Sequence, residues 1–206
     1  MVTPLLLPLL AYLLGSLSGS LLLGKLRGVD IRTVGSGNAG GTNALRTQGF
    51  KFALGTVLVD VGKGALAAWL ALRFADEAWA YACVMAAAVG HVWPVFHGFR
   101  GGKGAATIMG GLAVVWPQAL LPTLAMWLLS MMWGGYVGLS TVLAGISVPL
   151  FGLVTGADPA RMAFAAAVAL FLVFTHRGNL VRLRAGTEPR SERLRVLGRL
   201  FSRKPT

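Results

Sequence analysis

Two polar, glycine-rich segments interrupt a largely apolar chain, and their residue types suit the binding of anions. The first, residues 35–43, combines glycines with small hydroxyl and amide side chains. Glycine lets backbone N–H groups approach a ligand closely, and a row of N–H groups attracts negative charge. The residues that we expect to bind ligand here are Ser36, Gly37, Asn38, Gly40, Thr42, Asn43 and Arg46.

The end of this segment could open a helix. If a helix begins near Thr42, Arg46 follows one turn later, and a helix N-terminus beside an arginine suits a phosphate group. An ordinary turn rich in glycine, asparagine and serine is the alternative interpretation. The density of glycine and amide residues favours a ligand site over that alternative.

The second segment, residues 90–107, ends in Gly101-Gly102-Lys103-Gly104, a lysine on a glycine turn that opens a helix. Such a turn can cradle an anion. It is not a Walker A loop, because His97 occupies the position of the first required glycine. Lys103 could instead be one more cytoplasmic positive charge. His91, at the start of the segment, is a candidate proton acceptor or a residue that stabilises the loop.

A third polar group lies near the end of the chain. His176 and Asn179 are three residues apart, which places them on one face of a helix, with Arg177 between them. Glu188 follows, and its carboxylate could fix an arginine, orient a ligand hydroxyl, or pair with another residue of the tail.

Asp60 and Lys63 are ionisable residues inside an apolar stretch, three positions apart. At such depth, charged groups usually face protein or a wet cavity and pair with each other. They could form an ion pair within the helix, or close the floor of a polar pocket.

The composition predicts an all-α integral membrane protein, folded as one domain over residues 1–206. Of its residues 55% are hydrophobic and 13% are charged, and mean hydropathy is +0.69, whereas soluble domains are about 25% charged. We expect about seven transmembrane helices in one bundle, some of them short or re-entrant: 3–23, 52–72, 79–96, 104–116, 118–133, 136–154 and 162–175. A five-span arrangement with re-entrant pieces is the alternative.

The distribution of charge predicts the orientation. Sixteen of the 19 Lys and Arg residues lie in the loop between the first two predicted spans, in the loop between spans 79–96 and 104–116, and in the tail. The positive-inside rule then places the N-terminus outside, and the loops and a basic tail from about residue 184 in the cytoplasm. The tail's charge also suits anionic membrane lipid. The net charge of +12 does not indicate nucleic acid, because no basic stretch is interleaved with aromatic residues.

Several kinds of chemistry have no support in the sequence. No His/Glu cluster has metal-ligand spacing, and the single cysteine, Cys83, allows neither a disulfide within the chain nor a cysteine metal cluster. No Gly-x-Ser-x-Gly motif occurs. We therefore expect no metal and no cofactor.

Taken together, the motifs resemble those of the bacterial membrane acyl-phosphate:glycerol-3-phosphate acyltransferases, the PlsY family. The similarity runs over nearly the whole chain, in the family's order: Gly35-Ser36-Gly37-Asn38-x-Gly40-x-Thr42-Asn43, then Gly90-His91-x-x-Pro94-x-Phe96 with Phe99-x-Gly101-Gly102-Lys103-Gly104, then His176-Arg177-x-Asn179 with Gly186-x-Glu188. Asp60-x-x-Lys63-Gly64 also resembles a family signature. Gly41 stands where the family leads us to expect alanine, and Gly138 where we expect serine; Ser140 or Thr141 could supply the missing hydroxyl.

The resemblance implies transfer of a fatty acyl group from acyl phosphate to the 1-hydroxyl of sn-glycerol 3-phosphate at the inner membrane, the first acylation of phospholipid synthesis. Neither acyl-CoA nor acyl carrier protein would be the direct donor. Residues 35–43 with Arg46 would bind one phosphate, and Lys103 would bridge toward the other. His176 and Asn179 would orient the glycerol phosphate or the acyl carbonyl. Glu188 would position Arg177 or Arg182, or contact a glycerol hydroxyl.

A transporter or channel for a phosphorylated solute is the competing class. Broken spans, glycine loops and buried ionisable residues also occur in transporters. A transporter moves solute into sealed vesicles without changing it, whereas the acyltransferase forms product in detergent solution.

Overall fold

The computed structural model describes residues 5–200, and its regular structure within that range is helical. Short 3₁₀ turns join some of the helices. The α-helices are α1 (Leu6–Gly15), α2 (Gly19–Leu26), α3 (Gly41–Gln48), α4 (Phe50–Phe74), α5 (Glu77–Val92), α6 (Ala105–Val115), α7 (Leu120–Gly134), α8 (Val137–Thr155), α9 (Pro159–Thr175), α10 (Arg177–Arg184) and α11 (Val196–Leu200).

Three of these segments are long and apolar enough to cross a membrane, namely α4, residues Glu77–His97 and α8. The number rises to five if two bent pairs are each counted as one span: α1 with α2, bent by 44°, and α9 with α10, bent by 55°. Helix α6 is apolar but shorter. Every predicted span therefore corresponds to a helix or a bent pair, except that residues 3 and 4 lie outside the described residues.

The first predicted span, 3–23, is wrong as a single helix. The α-helix stops at Gly15 and a second one begins at Gly19. Hydropathy does not reveal this break, because the residues between the two helices remain compatible with an apolar span. The break depends instead on polar partners from α4, which are described below.

The chain divides after Pro117 into two compact units. In the first unit, glycines let helices approach closely. A Cβ on Gly64 of α4 would overlap the backbone of Thr107 in α6, and one on Gly15 of α1 would overlap the backbone of Ala87 in α5. Small residues at such positions permit tight packing between membrane helices.

The second unit contains α7 to α11, with α8 packed against both α7 and α9. Asp158 begins α9, since its carboxylate accepts the Arg161 N–H at 3.0 Å and Pro159 occupies the first turn. The single domain predicted over residues 1–206 stays a prediction.

Candidate active site

The first loop, residues 27–40 between α2 and α3, is anchored by apolar residues. Ile31 and Ala39 are fully buried and belong to a cluster with Leu21 of α2 and Phe52 of α4. These buried apolar contacts therefore anchor the loop that carries the polar residues.

Asn43 shapes the first loop from within. Its Oδ1 accepts the Ser36 N–H at 2.9 Å, and its Nδ2 donates to the carbonyl oxygens of Ile31 and Val34 at 3.0 Å each. Gly35 has a positive φ of 59°, and a Cβ there would overlap Asn43 Oδ1. Both amide N–H groups of Asn43 are thus already used by the loop, and its predicted contact with a phosphate stays a prediction.

Other residues of this segment remain open to solvent. Helix α3 begins at Gly41, next to Thr42, and no side chain caps its N-terminus. Ser36, Thr42 and Arg46 are exposed around it. Backbone N–H groups at an uncapped helix start, next to hydroxyls and an arginine, form a setting that favours an anion.

The second loop, residues 93–104 between α5 and α6, folds back on the end of α5. The Gly101 N–H donates to Val92 O at 3.0 Å and the Gly102 N–H to His91 O at 3.1 Å. Gly104 has a φ of 86° and immediately precedes α6, so Lys103 stands at the start of that helix. This is the predicted lysine on a glycine turn opening a helix.

The two loops meet. Arg32 of the first loop donates from Nη1 to the carbonyl oxygens of His97 and Arg100 in the second, at 2.8 Å and 3.2 Å. Asp30 holds the same guanidinium through Nε at 2.9 Å and Nη2 at 2.8 Å. The side-chain hydrogen bonds from Arg32 lower the pKa of Asp30 from 3.8 to about 2.

A second contact between the loops involves Gly102. A Cβ at this position would lie 2.7 Å from Ala39 O and would overlap His91 Nε2. The glycine therefore allows the first loop, the second loop and His91 to pack together. Sequence reasoning missed Arg32, which was counted only as a cytoplasmic positive charge, because its role depends on contacts 65 residues away.

Beneath these loops lies a buried polar cluster of Asp60, Lys63 and His91. Lys63 Nζ is 3.0 Å from Asp60 Oδ1 and 2.8 Å from His91 Nδ1. The predicted pairing of Asp60 with Lys63 is confirmed. The role of His91 as a proton acceptor stays a prediction.

In the second unit, His176 lies at the bend between α9 and α10. It is buried, and its Nδ1 is 2.9 Å from the carbonyl oxygen of Leu172. A carbonyl oxygen only accepts hydrogen bonds, so Nδ1 carries a proton in this contact, and in the neutral imidazole Nε2 is then the acceptor.

Asn179 and Glu188 meet directly. Asn179 Nδ2 donates to Glu188 Oε1 at 2.6 Å, and Arg182 Nε donates to Glu188 Oε2 at 2.8 Å. Of the two arginines proposed as partners of Glu188, the structure places Arg182 there. Arg177 instead donates to Phe174 O at 2.9 Å and lies over the Phe174 ring.

The start of α8 contacts Asn179. A Cβ on Gly138 would lie 2.6 Å from Asn179 Cβ. The hydroxyl of Thr141 accepts from Trp127 Nε1 at 3.3 Å and donates to Val137 O at 2.9 Å, and Ser140 is buried. The contact of Thr141 with ligand therefore stays a prediction.

The described residues include no group of three or more His, Cys, Asp or Glu side chains that could hold a metal ion. The groups assembled around the loops can do other chemistry. N–H donors, hydroxyls and cations can bind and orient anions, and a buried histidine such as His91 can direct a donor or an acceptor at a chosen atom.

A family model described as glycerol-3-phosphate acyltransferase matches residues 5–186. A glycerol-3-phosphate acyltransferase of Synechococcus sp. (strain CC9902) is 42% identical over 193 residues, covering 92% of this chain and 96% of that protein. One from Aquifex aeolicus (strain VF5) is 38% identical over 182 residues, covering 87% of this chain and 95% of that protein.

Two crystal structures are similar to the chain over 94% of its length and 98% of theirs. Both are of PlsY (YgiH), an integral membrane glycerol 3-phosphate acyltransferase. The glycerol 3-phosphate form gives a TM-score of 0.88 at 37% identity. The lysophosphatidic acid form gives a TM-score of 0.87 at 36% identity.

Proposed function

The chain belongs to the glycerol-3-phosphate acyltransferase family, and from that premise we propose that it transfers a fatty acyl group from acyl phosphate to the 1-hydroxyl of sn-glycerol 3-phosphate. It is an integral membrane acyltransferase of phospholipid synthesis. The relatives described above are named as acyltransferases rather than transporters.

In the proposed reaction, the 1-hydroxyl oxygen attacks the acyl carbonyl carbon and forms the ester C–O bond. The bond between that carbon and the phosphate oxygen breaks, and inorganic phosphate leaves. The hydroxyl proton ends on phosphate, so lysophosphatidic acid and phosphate are the products. Because the donor is already activated, the protein needs to align two anionic substrates and stabilise the oxyanion, which positioned donors can do.

The observation that carries the proposal is the convergence of the two loops. Arg32 and Gly102 bring the uncapped start of α3 and the start of α6 into one compact unit. In our proposal, Ser36, Thr42 and Arg46 bind one phosphate with the backbone of the first loop, while Lys103 extends toward the other. Asn43 shapes the loop that binds the phosphate.

The proposal gives His176 and Asn179 the task of orienting glycerol 3-phosphate. With Nδ1–H donated to Leu172 O, Nε2 of the neutral His176 imidazole is an acceptor, which suits a substrate hydroxyl better than an acyl carbonyl oxygen. Glu188 fixes the Asn179 amide through the 2.6 Å hydrogen bond. Arg182 in turn holds Glu188.

We place the enzyme in the bacterial inner membrane, with the N-terminus outside and the two loops and the tail in the cytoplasm. The support for this orientation is the concentration of basic residues in the loops and the tail. Glycerol 3-phosphate is a soluble cytoplasmic metabolite in this scheme, and the acyl chain reaches the loops from the lipid phase.

The test is acyl transfer by purified protein in detergent, from palmitoyl phosphate to labelled glycerol 3-phosphate, with lysophosphatidic acid as the measured product. We expect product with palmitoyl phosphate and none with palmitoyl-CoA or palmitoyl-acyl carrier protein. Equal turnover with palmitoyl-CoA would overturn the donor. Accumulation of unmodified glycerol 3-phosphate in sealed vesicles, without product, would support the transporter alternative.

Variants test the site. We expect Lys103→Ala and Ser36→Ala to lose roughly 100-fold or more in turnover, the effect of deleting one positioned donor in other enzymes. Lys51→Ala, which removes an exposed lysine at the start of α4, is the matched control and should keep full activity. Normal turnover by Lys103→Ala would remove that lysine from the mechanism.

A further inference from the structure

The first compact unit buries three ionisable side chains together, and the reaction proposed above uses none of their charges directly. Asp60 is 1% exposed, His91 3% and Lys63 5%. Burying charges in an apolar interior costs free energy unless they are paired and hydrogen-bonded. The hydrogen bonds within this cluster indicate what it does.

The hydrogen bonds of Lys63 fix the tautomer of His91. A lysine ammonium has three N–H donors and no acceptor. Three acceptors surround Nζ: Asp60 Oδ1 at 3.0 Å, Leu17 O at 3.1 Å and His91 Nδ1 at 2.8 Å. Nδ1 also lies 3.3 Å from Asp60 Oδ1, but that oxygen already accepts from Lys63 Nζ and from the Gly19 N–H, each at 3.0 Å. Because Nδ1 is closer to the ammonium, at 2.8 Å, it acts as the third acceptor of Lys63, and the proton of the neutral imidazole resides on Nε2. A proton on Nδ1 would set two donors face to face at 2.8 Å.

The same pair holds the break between α1 and α2. Lys63 Nζ binds Leu17 O, just beyond the end of α1, and Asp60 Oδ1 accepts the Gly19 N–H at the start of α2, at 3.0 Å. A cation at a helix C-terminus and an anion at a helix N-terminus both complement the helix dipoles. The backbone at the break between α1 and α2 thus fixes the positions of Asp60 and Lys63, and these two residues fix the orientation of the His91 imidazole.

The far side of the imidazole faces the loops. A Cβ on Gly102 would overlap His91 Nε2 and would lie 2.7 Å from Ala39 O. The His91 carbonyl also accepts the Gly102 N–H. Nε2 is therefore presented where the first and second loops meet, which is where the proposed function places a phosphate.

We propose that Asp60 and Lys63 are positioning residues that hold His91 as a neutral imidazole, with its Nε2–H directed at the junction of the two glycine loops. His91 then serves as an N–H donor to that junction and its bound phosphate, not as a proton acceptor. The effect on turnover rests on the proposed function, whereas the tautomer does not.

The tautomer can be measured directly. Protein labelled with ¹⁵N-histidine contains only three histidines, so His97→Gln and His176→Gln samples assign the His91 resonances. We expect an unprotonated Nδ1 and a protonated Nε2 in wild type, and loss of that fixed pattern in Lys63→Met. A proton on Nδ1, or an imidazolium, in the folded wild-type protein would overturn the proposal.

Rescue distinguishes a donor from a base. Glutamine places an amide N–H near the position of Nε2 but cannot accept a proton as a base. We expect His91→Gln to keep turnover within about tenfold of wild type, and His91→Ala to lose roughly 100-fold. Equal loss in both variants, each folded by size-exclusion chromatography, would contradict the donor role.

The pair itself is tested with a neutral replacement. Lys63→Met leaves Asp60 buried without its cation and is expected to destabilise the protein, so Asp60→Leu/Lys63→Met, which places no donor beside Nδ1, is the second variant. It should fold, lose the fixed His91 tautomer and turn over more slowly than wild type. An unchanged tautomer in the double variant would overturn the positioning role. A wild-type protein that transfers no acyl group would refute the proposed function and leave the spectroscopic test intact.

Discussion

The Nη1 atom of Arg32 lies 2.8 Å from the carbonyl oxygen of His97, so that a side chain of the first loop holds the backbone of the second. We expect Arg32→Gln to lower turnover by roughly tenfold or more and to raise KM for glycerol 3-phosphate, because the two loops lose the charge-assisted hydrogen bonds that join them. Steady-state acyl transfer measures this. Lys25→Gln removes an equal charge from the exposed end of α2 and should have little effect; equal losses in both variants would indicate a general charge effect.

The pKa of Asp30 sets the pH range in which the ion pair between Asp30 and Arg32 contributes to stability. Arg32 lowers the pKa of Asp30 to about 2 in the folded protein, from an ordinary 3.8. A lowered folded pKa contributes stability that is fully present above the unfolded value and is lost as pH falls through about 2. We therefore expect this contribution to be constant across neutral pH.

The measurement is a ¹³C NMR titration of the Asp30 carboxyl group in detergent. In Arg32→Gln, the pKa of Asp30 should rise toward its ordinary value because the largest cause of its depression is gone. The Asp30 signal is assigned by its absence from Asp30→Asn. An Asp30 pKa that stays near 2 in Arg32→Gln would contradict the assignment of that cause.

The sequence predicted the parts of the fold that depend on local pattern. The apolar segments correspond to helices, α3 begins beside Thr42, and Asp60 pairs with Lys63. The hydropathy of a segment and the three-residue spacing of a pair are properties of neighbouring residues, so a single sequence contains them.

The parts that were missed depend on distant residues. The interruption of the first span is stabilised by Asp60 and Lys63, more than 40 positions along the chain. Arg32 similarly finds its partners in another loop. The sequence did not reveal the hydrogen bonds of Asn43 within the first loop, and its contact with ligand stays a prediction.

Asn43 gives a prediction about loop shape. Asn43→Asp keeps the acceptor for the Ser36 N–H but loses the donors to Ile31 O and Val34 O, which costs about 1–3 kcal/mol for each buried group left unpaired. We expect a lower thermal midpoint and a raised KM for glycerol 3-phosphate. Gln48→Glu makes the same chemical change at the end of α3 and should leave KM unchanged. An unaltered KM in Asn43→Asp would show that substrate binding does not depend on the hydrogen bonds that Asn43 donates within the loop.

Gly102 gives a prediction about close packing. In Gly102→Ala the new methyl group would overlap His91 Nε2 and press on Ala39 O, so the loops must separate. We expect turnover to fall by roughly 100-fold while the protein still inserts and purifies as a single species. Gly62→Ala adds the same methyl on α4 where nothing lies within 4 Å. Gly62→Ala should match wild type in both turnover and yield. Full activity in Gly102→Ala would show that the junction of the two loops does not contribute to the reaction.

Gly138 gives a prediction that is specific to this chain. The resemblance of the chain to the family leads us to expect serine at this position. Serine would bring its Cβ within 2.6 Å of Asn179 Cβ and 2.7 Å of Nδ2, which real contacts do not allow. Asn179 would have to leave its hydrogen bond with Glu188. We therefore expect Gly138→Ser to lower turnover by roughly tenfold or more through a raised KM for glycerol 3-phosphate. Gly134→Ser, where the nearest atom is an ordinary 3.5 Å away, is the control. Wild-type KM in Gly138→Ser would mean that Asn179 does not need its present position, and the proposed orienting role of Asn179 would then be wrong.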